Sequence, residues 1–222
     1  MNVITGPQVI GIGRIFTDSQ TPSDQAQALI DSGLLADLRD ADVSKIDRIA
    51  FRELLGLPPL TADGFPIWKT IKLGTGLKTA DEFRKALTDG GFKIGEWSND
   101  ILDQPAFSVA LSLTDVELVN VSPRELGLRK SSTFKEICAK AKSKGLSLCP
   151  NEVGPQLRLQ YKDQPTCARL LVAMDPIADS NGYFRIFRVG NHEDELWLDG
   201  SLGYPGHVWF LDDRFVFVRS KK

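Results

Sequence analysis

Histidine and cysteine are scarce in this 222-residue chain, and each scarcity excludes a branch of chemistry. His192 and His207 are the only two histidines, too few for an imidazole-rich metal site or a histidine-based acid–base pair. The three cysteines, Cys138, Cys149 and Cys167, form an odd set without a C-x-x-C pair. Neither a disulfide framework nor a thiolate zinc site is therefore expected, and all three read as reduced thiols. A continuous apolar run of about 18 residues, the minimum for a membrane-spanning helix, is also missing. Met1 to Pro7 has neither a basic n-region nor an unbroken apolar h-region. The expectation is a cytoplasmic, soluble protein with no membrane partner. Gly11-Ile-Gly13 lacks the third glycine and the following helix of a dinucleotide loop. Val9 to Phe16 thus reads as a strand or extended arm. The paired acids Glu193-Asp-Glu195 and Asp212-Asp213 lack the spacing of a calcium loop. No metal and no cofactor are expected.

What is present suits a folded chain: 42% hydrophobic and 25% charged residues can build a sizeable core under a solvated surface. The net charge of −2 conceals an uneven layout. Asp18 to Asp63 holds nine acids against Arg39, Lys45, Arg48 and Arg52. Arg124 to Lys144 reverses the balance, with Arg124, Arg129, Lys130, Lys135, Lys140, Lys142 and Lys144 against Glu125 and Glu136. Asn191 to Asp213 has six acids and neither lysine nor arginine. Such segregation bears on partners more than the total does.

Helical spacing begins after Thr21-Pro22, with Ala26, Leu29, Ile30 and Leu34 on one side. Ser44 and Asp47 open a second helix that Gly56 stops, and the proline-rich stretch Pro58 to Pro66 reads as a linker. Ile67 to Leu73 alternates as a strand. Thr79-Ala-Asp-Glu82 and Thr133-Phe-Lys-Glu136 are capping boxes, each opening a helix, the second ending at Gly145. Between them, Ser98 to Asp103 forms a short helix, and Ala106–Leu113 and Val116–Val121 read as a hairpin. Five strand-like runs separated by short turns follow Arg169. The fold class is α+β: N-terminal helices, then a mainly antiparallel, meander-like sheet with helices packed on one side. Residues 1–62 form a helical segment or arm, and 63–222 the α+β domain.

Three phrases, Trp68-Lys-Thr-Ile-Lys-Leu-Gly-Thr-Gly-Leu77, Cys149-Pro-Asn-Glu-Val-Gly-Pro-Gln-Leu-Arg-Leu-Gln-Tyr161 and Phe215-Val-Phe-Val-Arg219, resemble a group of uncharacterised bacterial proteins over roughly residues 66–222. The resemblance implies a bacterial origin and one fold unit. It carries no catalytic residues with it, because that group has no assigned activity.

Two patches are candidates for binding. Gln156, Arg158 and Gln160 alternate with Leu157, Leu159 and Tyr161, which at period two places three long hydrogen-bonding side chains on one strand face, suited to a carboxylate or phosphate. Trp197, Tyr204, His207 and Trp209 lie around glycine-rich turns and suit an aromatic platform. Cys149, before Pro150 at a strand end, is the one candidate nucleophile, with a histidine as base. The reading is a non-catalytic binding or protein-interaction module for an unknown protein or small polar ligand. A thiol-dependent hydrolase or transferase using Cys149 is the alternative. Nucleic-acid binding through the basic 124–144 face ranks behind both, and a homo-oligomer through the N-terminal helices is a further alternative.

Overall fold

The computed structural model describes residues 23–56 and 64–220. The expected strand at Val9–Phe16 and most of the Pro58–Pro66 linker lie outside them. The chain divides into two units, Met1–Leu55 and Gly56–Lys222.

In the first unit, α1 spans Ser23–Asp31, α2 Leu34–Asp40 and α3 Arg48–Leu54. α3 opens one turn later than Ser44 suggests, because Ser44 lies in a separate 3-10 turn, Val43–Lys45. The Asp47 carboxylate accepts the N–H groups of Ile49 and Ala50, at 2.8 and 3.2 Å, and so caps the helix. Neither α1 nor α2 buries a residue, and Ile30, Leu34, Leu35 and Leu38 stand exposed.

The second unit contains β1 (Lys69–Leu73), α4 (Ala80–Asp89), β2 (Lys93–Ile94), α5 (Glu96–Leu102), β3 (Thr114–Val121), β4 (Ser132–Thr133), α6 (Phe134–Ser143), β5 (Leu146–Ser147) and α7 (Val153–Gln160). β6 (Arg169–Val172), β7 (Ile177–Ala178), β8 (Phe184–His192), β9 (Glu195–Leu202), β10 (Val208–Trp209) and β11 (Phe215–Arg219) complete it. Both capping boxes form, at Thr79/Glu82 and Thr133/Glu136. Each satisfies N-terminal N–H groups that the helix itself cannot. The buried sides are the expected ones, Phe83 and Leu87 on α4 and Phe134, Ile137 and Ala141 on α6.

The α+β class stands, whereas the meander does not. The sheet is curled and mixed, with strand order β1-β3-β11-β6-β8-β9-β2, and β11–β6 and β2–β9 pair in parallel. Strands from the first half of the unit pair with the last strand, and of the expected C-terminal succession only β6, β8 and β9 pair in sequence order, with β7 also on β8. The expected 106–121 hairpin is also absent, since β3 pairs with β1 and β11. Residues 106–110 are held instead by side chains: Asn151 Nδ2 donates to Ala106 O at 2.8 Å, and the Ala110 N–H donates to Glu152 Oε2 at 2.7 Å.

α7 packs against β1 at one end of the strand order and against β8 and β9 near the other. β1 and β8 are four strand spacings apart, about 19 Å in a flat sheet, and an eight-residue helix is about 12 Å long. The curl brings both within its reach. Val153, Gly154, Pro155, Leu157 and Arg158 are all buried in α7. A Cβ on Gly154 would stand 2.4 Å from the Phe187 ring, so this approach of helix to strand requires glycine.

Candidate functional site

The polar trio 156/158/160 lies on a helix rather than a strand, which corrects the one-face arrangement. Gln156 and Gln160 are four residues apart and share a helix face with Glu152, whereas Arg158 points elsewhere. Pro155 falls in the first turn of α7, where its missing N–H is harmless.

The hydrogen-bonding capacity of this face is taken up internally. Glu152 is buried and accepts from the Gly74 N–H at 2.9 Å, the Ala110 N–H at 2.7 Å and Gln156 Nε2 at 3.0 Å. Gln156 Nε2 also reaches Thr75 Oγ1 at 2.7 Å. Gln160 Oε1 accepts the Lys72 N–H while Gln160 Nε2 donates to Lys72 O, both at 2.8 Å. This carboxamide pairs with the outer edge of β1 as a neighbouring strand's peptide would, and blunts that edge.

Arg158 is fully buried without an ion pair among the described residues. Its Nη1 donates to Gln164 Oε1 at 2.6 Å and Gly190 O at 3.2 Å, and Nη2 donates to Tyr161 O. The guanidinium lies 5.1 Å from the Phe92 ring centroid. Burial lowers its pKa to about 10, which leaves it charged at neutral pH. Tyr161 is buried too, edge-on to Trp68 at 5.1 Å, with Lys69 Nζ 4.6 Å from its ring centroid. Gln160 and Arg158 therefore brace α7 against β1 and β8.

Cys149 is not displayed at a turn. It is 4% exposed, its N–H donates to Ala173 O at 2.7 Å, and its Sγ donates to Val216 O at 3.3 Å. Burial pushes the thiol pKa upward, so the nucleophilic thiolate is disfavoured. Cys138 is likewise pushed to about 12 by burial, while Cys167 is exposed.

The aromatic group divides. Trp197 sits on β9, across from Gly190 on β8 and Lys93 on β2. It shares no ring contact with the others among the described residues. Tyr204, His207 and Trp209 form a continuous edge-to-face series, with centroids 5.3 and 4.6 Å apart, which Trp209 extends inward to Phe215 at 5.5 Å. Trp209 is half-buried, and its indole N–H has no acceptor among the described residues. Val208 and Phe210, on either side of it, point outward at 55% and 74% exposure. Their alternation with Trp209 was the signal that could have identified them.

The structure joins this aromatic turn to the basic segment. β10 pairs with β4, Val208 opposite Thr133 and Trp209 opposite Ser132. The first two N–H groups of α6 donate to the turn, Phe134 N to His207 O at 2.8 Å and Lys135 N to Pro205 O at 3.0 Å. The third, of Glu136, is held by Thr133 Oγ1. Further along, the Arg124 N–H donates to Leu211 O at 3.0 Å, and its guanidinium meets both oxygens of Asp212 at 2.8 and 3.0 Å.

Local carboxylates are occupied. Glu125 pairs with Arg214 at 2.7 Å, and Asp213 accepts the Phe210 N–H at 2.7 Å. Glu136 caps α6, and its carboxyl is held below the usual range by Thr133 first and by nearby Lys130 last. Arg129, Lys130, Lys135, Lys140, Lys142 and Lys144 have no ion pair among the described residues. Lys135 and Lys142, seven apart, share one face of α6, and the Lys140 stem lies over Gly127. Lys135 thus stands at the end of α6 that the aromatic turn joins, with Lys142 on the same flank, while Lys140 and Lys144 fall on the other flank of the buried stripe.

Among the described residues, no group of three or more histidine, cysteine or acidic side chains is placed to hold a metal ion, and no helix is long and apolar enough to cross a membrane. No protein-family model, curated protein or solved structure matches the chain.

Proposed function

We propose that this chain is a non-catalytic binding module that recognises an anionic partner at the corner formed by β4, β10 and the start of α6. The carrying observation is the backbone union of the basic segment with the aromatic turn. Two segments some 70 residues apart in sequence meet through the β4–β10 pairing and the α6 N–H groups held by Pro205 and His207, which sets Lys135 beside the aromatic turn. Unpaired cations beside exposed rings offer both long-range attraction and planar contact area. The thiol-enzyme alternative loses its support in the burial of Cys149 and the upward push on its pKa.

Retention on a heparin column tests this reading, because a chain of net charge −2 is held by a polyanion only through a local basic surface. Wild-type protein is expected to bind at low salt and elute on a gradient. A Lys135→Gln/Lys140→Gln/Lys142→Gln variant is expected to elute much earlier. Wild-type protein in the flow-through, or an unchanged elution position for the variant, contradicts the proposal.

A further inference from the structure

We infer that the occupant of this surface is single-stranded nucleic acid, an inference that rests on the anion-recognition reading above. Three features select this partner among polyanions. First, the cations on the side of the turn are spread rather than convergent: Arg129 and Lys130 precede β4, and Lys135 and Lys142 lie about 10 Å apart along one flank of α6. Point charges at intervals suit a repeating phosphate backbone, whereas one carboxylate or phosphate group is better held by a convergent set of donors.

Second, the N-terminus of α6 is closed to a compact anion. Its first three N–H groups already bond His207 O, Pro205 O and Thr133 Oγ1. What the turn offers instead is ring surface, with Tyr204 43% and Phe210 74% exposed. Unstacked bases have faces to lay on such rings; an acidic peptide carries charge without regularly spaced planar groups. Third, base faces are covered in a duplex and cannot be laid on Tyr204 or Phe210. A single strand uses rings and cations together.

The test uses the full chain and a fluorescein-labelled oligothymidylate of about 15 nucleotides, followed by anisotropy over a range of salt. Neutralising four phosphates through Arg129, Lys130, Lys135 and Lys142 predicts a slope of log affinity against log salt of about −3. Tyr204→Ala and Phe210→Ala are each expected to weaken binding about 5- to 150-fold, the effect of losing one stacked base. Neither should change the salt slope, whereas Lys135→Gln should reduce it by about 0.7. Both rings are solvent-exposed, so melting curves matching wild type are expected to confirm that the variants fold. Weaker binding of a duplex of equal length completes the supporting pattern.

Equal affinity for single strand and duplex, with both ring variants unchanged, overturns the single-strand inference. Displacement of the oligonucleotide by poly-glutamate at equal charge concentration overturns it in favour of an acidic protein partner. In either case heparin retention leaves the broader anion-binding reading in place. Absence of oligonucleotide binding also overturns the inference, and if heparin retention is absent as well, both readings fall.

Discussion

Replacing Arg158 by methionine isolates what a buried guanidinium without a carboxylate partner does for this fold. Methionine keeps a long apolar stem beside Phe92 and removes every donor, so two opposing quantities decide the sign. Burial lowers the Arg158 pKa from 12.5 to about 10, which at 1.36 kcal/mol per pKa unit is a charge-burial cost of about 3 kcal/mol that the variant escapes. Against this stand the bonds to Gln164 Oε1, Gly190 O and Tyr161 O. Bonds from a charged donor are worth about 1.5–3 kcal/mol each, and their loss leaves buried acceptors bare. The bonds outweigh the charge, and a net destabilisation of about 2–5 kcal/mol follows. Arg158→Lys should recover only part of it, because an ammonium cannot reproduce the fork geometry. Urea unfolding followed by tryptophan fluorescence measures the difference. A methionine variant as stable as wild type would refute the reasoning, since the guanidinium would then be tolerated rather than required.

Other expectations follow from the same contacts. A thiol reagent at mildly alkaline pH should modify exposed Cys167 quickly in the native protein, with Cys138 and Cys149 reacting only on unfolding; fast native labelling of Cys149 would contradict its burial. Gly154→Ala should destabilise by about 1–3 kcal/mol, because its Cβ would stand 2.4 Å from Phe187, and an unchanged melting temperature would show that α7 and β8 separate easily. Burial works to raise the Asp179 pKa, but Arg185 at 2.8 Å and the N–H groups of Tyr183 and Asn181 hold it below 3.8. The stability it contributes is full above the unfolded pKa and is lost as pH falls through the folded one. Wild type should therefore lead Asp179→Asn at neutral pH and converge with it in acid. A gap independent of pH would remove the ionic part of that account.

Local signals were legible where local physics decides the outcome. Thr79/Glu82 and Thr133/Glu136 announce their helices because a capping box is completed within four residues. The segment 153–160 was misread because Gln156, Arg158 and Gln160 satisfy period two, while Glu152, Gln156 and Gln160 equally satisfy a four-residue repeat. What separates the two is the partner set at Lys72, Gly74 and Thr75, about 80 residues away. Sheet order was hidden for a related reason. The paired residues of β6 and β11 are 44 apart in sequence (215 − 171) and meet in a shared core, Phe215 opposite Leu171, which no turn signal records. Of the binding candidates, Tyr204 and Trp209 lay within the described corner and Trp197 did not. The basic run and the aromatic turn were each visible, but their union depends on a two-residue strand pair and two helix N–H groups.

The most direct measurement of the central claim is the map of backbone amide shifts on adding a short single-stranded oligonucleotide to isotope-labelled protein. The account predicts that amides of Arg129, Lys130 and Lys135 shift together with those of Tyr204 to Phe210, while Lys72, Gln156 and Gln160 stay still. Shifts centred on α7, or on the basic segment without the aromatic turn, would contradict it.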